Sequence, residues 1–300
     1  MAKRNSTKKD VLTLDKFVDG FPAPAVSFEF FPPKDEAAEV ALWDTIKKLE
    51  PLNPNFVSVT YGAGGTTRER THNTVVRILK ETKLKPAAHL TCINASREEI
   101  DEIAERYWDA GVRHIVALRG DHPQGKESYV PHPEGYKYSS HLVEGLRKIG
   151  DFEISVACFP EGHPESTGVE EDLFHLQEKV DAGATRAISQ YFLDPYAFIN
   201  FVEKARKAKI DIPIVPGILV ISNYEQFLKF SKMCGATVPD WVKKLLAGLD
   251  SDPQARDCVA ANISAEICRI LTQEGVEQFH FYTLNRAHQT AAICRILGVR

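Results

Sequence analysis

Residues 109–118 read DAGVRHIVAL and residues 181–190 read DAGATRAISQ, and this pair decides the fold. Each opens on an Asp-Ala-Gly triplet of the kind that ends a helix, because glycine takes the left-handed conformation at a helix C-terminus without steric cost. Each then passes within a few residues into an apolar run of strand character. The same helix-to-strand junction used twice is the mark of a reused βα unit.

Working outward from these two, six further runs of the same kind recur. In order the set is VSFEFF (26–31), FVSVTY (56–61), AAHLTC (87–92), HIVALRG (114–120), ISVACF (154–159), RAISQYFL (186–193), IVPGILVI (214–221) and FHFYTLN (279–285). All are short, mostly apolar and rich in β-branched or aromatic residues, as strands buried on both faces must be. Helical periodicity fills the gaps. Ser96 and Glu99 form a capping box, followed by Ile100, Ile103, Ala104 and Tyr107 at helical spacing before Gly111. Leu173, Leu176 and Val180 make a second stripe, Phe198, Phe201, Val202 and Ala205 a third, and Val259, Ile263, Ile267 and Ile270 a longer one. The stretch 222–275 has room for two or three helices. Strands alternating with helices imply a parallel sheet, and eight such units imply closure into an α/β fold of the (β/α)8 TIM-barrel type. An open doubly wound sheet is the alternative, made less attractive by the lack of a GxGxxG motif after any strand. The expected organisation is a flexible tail over 1–20 and one catalytic domain over 21–300.

Composition narrows the partners. With 43% apolar residues, 26% charged residues and a formal charge of −4, the chain has material for a large core and no concentrated basic surface. Nucleic acid and acidic membranes are therefore not expected partners. Six scattered cysteines without a CxxC pair read as free thiols, buried and in a reducing compartment. The start MAKRNSTKKD has no hydrophobic region behind it and is not read as a secretion signal. A cytoplasmic location is the expectation.

In such a barrel the active site lies at the C-terminal ends of the strands. Those ends carry Glu29, then Thr60, Tyr61 and GAGG (62–65), His89, Arg119–Gly120–Asp121, Phe159 with Glu161 and His163, Gln190, Gly217 and Arg286. Singly each has a plainer reading: a satisfied core histidine, a turn, a structural ion pair. Their collection at one rim is what marks a site. Glu29 is the telling residue, an acid within a run of aromatics. Alternation sends Phe28 and Phe30 one way and Ser27, Glu29 and Phe31 the other. If the phenylalanines face the helices, Glu29 faces the barrel mouth, where a poorly hydrated carboxyl is expected to hold its proton and serve as an acid. No metal-ligand spacing and no nucleophile elbow is found. The residues alone reach acid-assisted chemistry on a bound organic group and stop there.

The stretches SFEFFPPK, FVSVTYGAGG, RTHNTV, AAHLTC, GVRHIVALRGD, DAGATRAISQYF, VPGIL and FHFYTLNRA, in this order from about residue 26 to the C-terminus, resemble the methylenetetrahydrofolate reductase family. The resemblance implies a barrel that binds FAD without a Rossmann motif, is reduced by NADH or NADPH, and passes a hydride to methylenetetrahydrofolate in a ping-pong sequence. It places the chain in one-carbon metabolism and methionine biosynthesis, in the short bacterial form, and an oligomer is the family's usual state. Carried over residue by residue, Glu29 falls on the general acid that opens the bridging ring, and Asp121 on the carboxylate that tunes the flavin. Thr60, Tyr61, Ala63, His89, Arg119, Gly120 and Asp121 match positions around the flavin ring or nicotinamide. Tyr138, Ser139, Phe159, His163, Asp172, His175 and Lys179 match positions along the rest of FAD. Glu29, Asp121, Gln190, Gln226, Phe230 and Arg286 match positions at the folate. Three residues depart from the pattern: Val220 stands where proline is common, Glu178 is an acid beside Lys179, and His175 is atypical. The polar segment 122–137 is either a cover for the adenosine end or a surface loop. Competing readings are the same reductase fed by a ferredoxin or partner flavoprotein, a flavin-less barrel lyase, and a non-catalytic folate-binding homologue.

Overall fold

The structure is a computed structural model and describes residues 14, 17, 20–62, 67–120 and 129–300. The elements run β1 (Ala25–Phe30), α1 (Glu36–Leu49), β2 (Phe56–Val59), α2 (Arg68–Glu81), β3 (Pro86–Thr91), α3 (Arg97–Asp109), β4 (His114–Leu118), α4 (Ser139–Ile149), β5 (Glu153–Cys158), α5 (Val169–Asp181), β6 (Arg186–Ser189) and α6 (Pro195–Lys207). They continue β7 (Ile214–Val215), β8 (Gly217–Leu219), α7 (Tyr224–Cys234), α8 (Asp240–Leu246), α9 (Pro253–Gln273), β9 (Gln278–Tyr282) and α10 (Ala287–Ile296). The 222–275 stretch thus holds three helices, α7 to α9.

Every pairing in the sheet is parallel, and the strand order is β7-β6-β5-β4-β3-β2-β1-β9-β8. The two ends of that series are halves of one expected strand, IVPGILVI, interrupted at Pro216. β7 pairs with β6, and β8 pairs with β9, so the barrel closes through this broken strand. Proline has no N–H to give to a ladder. Its carbonyl accepts from His280 N–H at 3.0 Å, and the next amide, Gly217 N–H, donates to Ser189 Oγ at 3.0 Å. Both neighbours are thereby held across the break. Gly217 is there for space: a Cβ would lie 2.2 Å from Ser189 O and 2.5 Å from the Tyr282 ring.

The two DAG junctions adopt one conformation. Gly111 has φ +92° and Gly183 φ +111°, Val112 N–H donates to Tyr107 O at 2.9 Å, and Ala184 N–H donates to Lys179 O at 2.9 Å. The capping box of α3 forms both of its bonds, Glu99 N–H to Ser96 Oγ at 3.2 Å and Ser96 N–H to Glu99 Oε2 at 2.9 Å. Other strands are shorter than the apolar runs suggest. FHFYTLN leaves the sheet after Tyr282, because Leu284 and Asn285 take left-handed φ values of 49° and 56°. That turn lets the Asn285 side chain accept from Phe31 N–H at 2.9 Å and donate to Phe31 O at 3.0 Å. RAISQYFL leaves after Ser189, and Tyr191, Phe192 and Leu193 are buried among the helices instead.

Most of the core lies between the sheet and the helices. A second, small cluster of Phe56, Ala87, Val116 and Ile188 fills the barrel lumen. Phe17, inside the expected tail, is buried in the large cluster, its ring 5.3 Å from that of Phe21. None of the six cysteines is in a disulfide: Cys92, Cys158, Cys268 and Cys294 are buried as expected, Cys234 is half-buried and Cys258 is exposed. Among the described residues no helix is long and apolar enough to cross a membrane.

Candidate active site at the barrel mouth

The inner face of β1 and β9 sets the centre of the site. Phe28, Phe30, Phe279 and Phe281 are at most 1% exposed and belong to the helix-side core. Removing each from water stabilises the fold by about 1.5–3 kcal/mol, which fixes which face turns inward. Ser27 then stands opposite His280, and Glu29 opposite Tyr282. Glu29 faces the mouth with its side chain 13% exposed, Oε2 3.4 Å from His89 Nε2 and 3.7 Å from His280 Nε2. Burial lowers the pKa of His89, and Glu29 pulls it back up by less. The acid therefore sits among imidazoles, groups able to share a proton with it.

Below this layer Phe56 and its apolar neighbours close the lumen. Its ring lies 4.5 Å from that of His114 and 5.6 Å from that of His280. His114 pairs with Ser155 Oγ at 2.8 Å, and burial with Arg186 close by pushes its pKa down to about 3. Arg186 is ion-paired with Glu153. On the mouth side of that floor, Ser58 Oγ, His89 Nε2 and Thr91 Oγ1 are buried without a hydrogen-bond partner among the described residues. Buried polar atoms are nearly always satisfied, so three on neighbouring strands of one mouth mark a surface shaped for a polar ligand.

The rim above β4 and β5 is cationic and aromatic. Arg119 Nη1 lies 2.7 Å from Glu165 Oε2, with its guanidinium 4.6 Å from the centre of the Tyr129 ring. Gly120 follows with φ +90°, and a Cβ there would come within 2.5 Å of Ile93 Cγ2. Phe159 meets His163 edge-on at 4.6 Å. The His163 N–H donates to Asp172 Oδ2 at 2.9 Å, and Ser166 Oγ donates to Asp172 Oδ1 at 2.7 Å. Lys179 is buried and donates from Nζ to Ala157 O at 2.8 Å, and that burial lowers its pKa. Tyr138 caps α4 just before Ser139, its ring 6.5 Å from that of His175 and nearly parallel to it. His175 Nδ1 is 2.8 Å from Glu178 Oε2, so the two departures noted in the sequence satisfy one another.

Across the mouth, Gln190 follows β6 and accepts through Oε1 from Tyr191 N–H at 3.0 Å. Phe230 on α7 is 41% exposed and stacks on Tyr191 at 5.8 Å, with the exposed Gln226 one helical turn before it. Arg286, exposed, caps α10. Thr60 follows β2, and its carbonyl accepts from Thr71 Oγ1 at 2.9 Å. Tyr61 turns the other way, into the helix-side core beside Arg68, with its phenol pKa raised by burial; its side chain is not brought to the mouth. Val220 is buried in that same core. Ala63, Asp121 and residues 122–128 of the polar loop lie outside the described residues. Among the described residues no group of three or more His, Cys, Asp or Glu is placed to hold a metal ion.

Sequence reasoning passed over Ser27, His280 and Tyr282. The signal was present: FHFYTLN alternates as VSFEFF does, aromatic on one face and polar on the other. Closure of the expected barrel already makes the first and last strands neighbours; what was missing was their register, which sets Ser27 opposite His280 and Glu29 opposite Tyr282.

Comparison with known proteins gives a consistent result. A family model described as Methylenetetrahydrofolate reductase matches residues 17–298. The 5,10-methylenetetrahydrofolate reductase of Pectobacterium carotovorum subsp. carotovorum is 50% identical over 278 residues, 92% of this chain and 90% of that one. The protein of the same name from Escherichia coli (strain K12) is 49% identical over 275 residues, 92% of this chain and 91% of that one. Methylenetetrahydrofolate reductase (NADH) 1 of Arabidopsis thaliana is 35% identical over 92% of this chain, which matches 48% of the plant protein. Among solved structures, a Clostridium thermocellum protein described as binding two copies of 5-methyl-5,6,7,8-tetrahydrofolic acid has a TM-score of 0.60 at 13% identity, over 95% of this chain and 98% of that one. At that identity the likeness speaks for the barrel fold.

Proposed function

Because the chain belongs to the methylenetetrahydrofolate reductase family, we propose that it reduces 5,10-methylenetetrahydrofolate to 5-methyltetrahydrofolate at this mouth, using a bound FAD and a nicotinamide in alternating half-reactions. The observation that carries the reading is Glu29: an inward-facing acid, 13% exposed, set against two imidazoles.

The residues at the rim suit FAD. Arg119 and Lys179 flank His163 on the β4–β5 side and would hold a diphosphate, and the nearly parallel rings of Tyr138 and His175 offer a surface for the adenosine end. Asp172 orders the turn that carries His163. The unpartnered His89 Nε2 and Thr91 Oγ1, with Thr60 and Gly120 beside them, line the place for the polar edge of a flavin. A flavin bound there supplies hydride transfer to and from organic substrates.

The chain's own residues do the rest. Glu29 donates its proton to the leaving nitrogen as the folate's bridging ring opens, a step that needs an acid within hydrogen-bond reach. Phe230, exposed and already stacked on Tyr191, presents a flat face to a bound pterin or nicotinamide ring. Gln190, Gln226 and Arg286 offer polar contacts to the folate from three different elements. Asp121 keeps the tuning role implied by the family resemblance, with Ala63 contributing to the same cofactor and Tyr61 able to reach it only through its backbone.

The test is an anaerobic titration of the purified protein with NADH while the visible flavin band is followed. Bleaching, then recovery on adding methylenetetrahydrofolate, is the expected result. A colourless protein that takes up no FAD overturns the cofactor assignment. A yellow protein bleached by NADPH or a reduced flavoprotein, and not by NADH, replaces the donor alone.

A further inference from the structure

The proposed site has two walls carried by different parts of the chain. The cofactor-side residues Phe159 and His163 lie on the loop after β5, and the folate-side residues Gln226 and Phe230 lie on α7. The loop is held firmly from behind. Asp172, near the start of α5, accepts from His163 N–H at 2.9 Å and from Ser166 Oγ at 2.7 Å, and Gly162 N–H closes a turn onto Phe159 O at 3.1 Å. The helix is held far less. Of the eleven residues of α7 only Phe227 and Ser231 are buried, and an element with so little apolar burial opens readily unless something else fixes it.

Two polar contacts do so. In mid-helix, Ser231 Oγ lies 2.9 Å from the hydroxyl of Tyr191, whose ring stacks on Phe230. Beyond the helix end, Thr237 N–H donates to Glu161 Oε2 at 3.2 Å. Gly235 brings the chain to that point. It ends α7 with φ +72°, so close to the β5–α5 loop that a Cβ there would be 3.2 Å from Pro164 Cγ and 3.5 Å from Gly162 O. Glu161 is half-buried on the loop between Phe159 and His163. Burial raises its pKa, Asp194 adds to the rise, and the hydroxyl and N–H of Thr237 draw it back. The proposed chemistry gives this acid no part, and Asp172 already orders the loop. What Glu161 holds is the end of α7.

We propose that Glu161 is a positioning residue that latches α7 to the β5–α5 loop and so sets the plane of Phe230 for the folate; this rests on Phe230 stacking on the folate as proposed above. One hydrogen bond at Ser231 lets the helix tilt about it, and a second beyond its end holds the tilt. Phe230 is next to that pivot in the chain, so without the latch its ring turns more than it travels. A tilted ring makes a poorer stack. Glu29 stands on β1, away from the moving helix, so the loss falls on binding and not on the chemical step.

The experiment follows reoxidation of the reduced flavin by methylenetetrahydrofolate in stopped flow, in the FAD-loaded protein. It compares Glu161→Ala, Glu161→Gln, Phe230→Leu and the double variant of Glu161→Ala with Phe230→Leu. In Glu161→Ala the half-saturating folate concentration should rise about threefold to tenfold, the worth of a hydrogen bond lost, with the limiting rate kept. Glu161→Gln retains an acceptor and should recover most of that affinity. With Phe230→Leu already present, Glu161→Ala should add nothing, since the two act as one. The dissociation constant of FAD should stay at the wild-type value, because the loop remains on Asp172. Amide hydrogen exchange should quicken over 224–234 and not over 169–181. Additive losses in the double variant, a Glu161→Gln no better than Glu161→Ala, weakened FAD or unchanged exchange in α7 overturns the proposal. If Glu161→Ala does not fold, Thr237→Val, which removes the hydroxyl from the other side of the latch, is put through the same cycle. Should Phe230→Leu leave folate half-saturation unmoved, the placing of folate on Phe230 falls and the latch with it; if Phe230→Leu weakens folate and Glu161→Ala does not, only the latch falls.

Discussion

β1 and β9 each have two faces, and the faces make different demands. Outward go Phe28, Phe30, Phe279 and Phe281, packed against one another at ring distances of 6.2–6.4 Å where they touch. Inward go Ser27, Glu29, His280 and Tyr282, each with a partner at a particular atom: Ser27 on His280, His280 on Glu29, Tyr282 Oη on Ser189 O at 2.7 Å. On the outer face any residue of similar volume would serve, because apolar burial is non-directional. On the inner face a change of one functional group removes the chemistry and leaves the scaffold. The outer face makes the barrel; the inner face is what the barrel holds in place.

That contrast can be broken from either side. The largest effect belongs to the inner face. Glu29→Gln should cut reduction of methylenetetrahydrofolate by about 10²–10⁴-fold, the usual contribution of a positioned acid, with the unfolding midpoint and the nicotinamide half-reaction unchanged. A matching loss of stability would show that the two faces are not separable. Phe281→Ala is the mirror experiment: about 3–5 kcal/mol lost in denaturant unfolding, with kinetic constants near wild type for the fraction that stays folded. Gly217→Ala tests the seam between β7 and β8. Its Cβ would press on Ser189 O and the Tyr282 ring, and overpacking of this kind costs about 1–3 kcal/mol. Since both neighbours line the mouth, activity should fall along with stability; a neutral Gly217→Ala would mean that the seam has slack.

The smallest effect at neutral pH, and a growing one in acid, belongs to the lumen floor. His114 has its pKa pushed down from 6.5 to about 3 by burial and by Arg186. In acid the unfolded chain takes up a proton that the native imidazole refuses, so stability falls as pH drops below 6.5 and stops falling on this account near 3. His114→Asn should flatten that slope between pH 7 and 4 in urea-unfolding midpoints. An unchanged slope would assign the acid sensitivity to other groups.

Much of this was legible beforehand because it is local. The capping box at Ser96 and Glu99, the two DAG helix ends and the period-two alternation of VSFEFF each depend on a few consecutive residues, and each appears in the structure as read. Glu29 was found because an acid in an aromatic strand is a local anomaly. Tyr61 was read as a rim residue because it stands at a strand end. Its side chain turns to the helix layer instead, since β2 ends two residues earlier, at Val59, and an apolar ring gains more in the core. His280 stayed hidden for the opposite reason: nothing within five residues of it is unusual, and its meaning comes from Ser27, which is 253 positions away in the chain.

By itself, then, the sequence determined the βα rhythm, the two faces of β1 and the family to which the chain belongs, since these follow from residue type and spacing along a few turns. Only the tertiary structure decided that IVPGILVI is two strands, one bonded to β6 and the other to β9, and that this break is where the ring closes. It also decided the register of β9 against β1, which sets an imidazole against the acid and a serine behind the imidazole. Those are contacts between residues far apart in the chain. They exist because closing a parallel barrel satisfies the hydrogen bonds of its first and last strands at once, a condition that no short window of sequence can express.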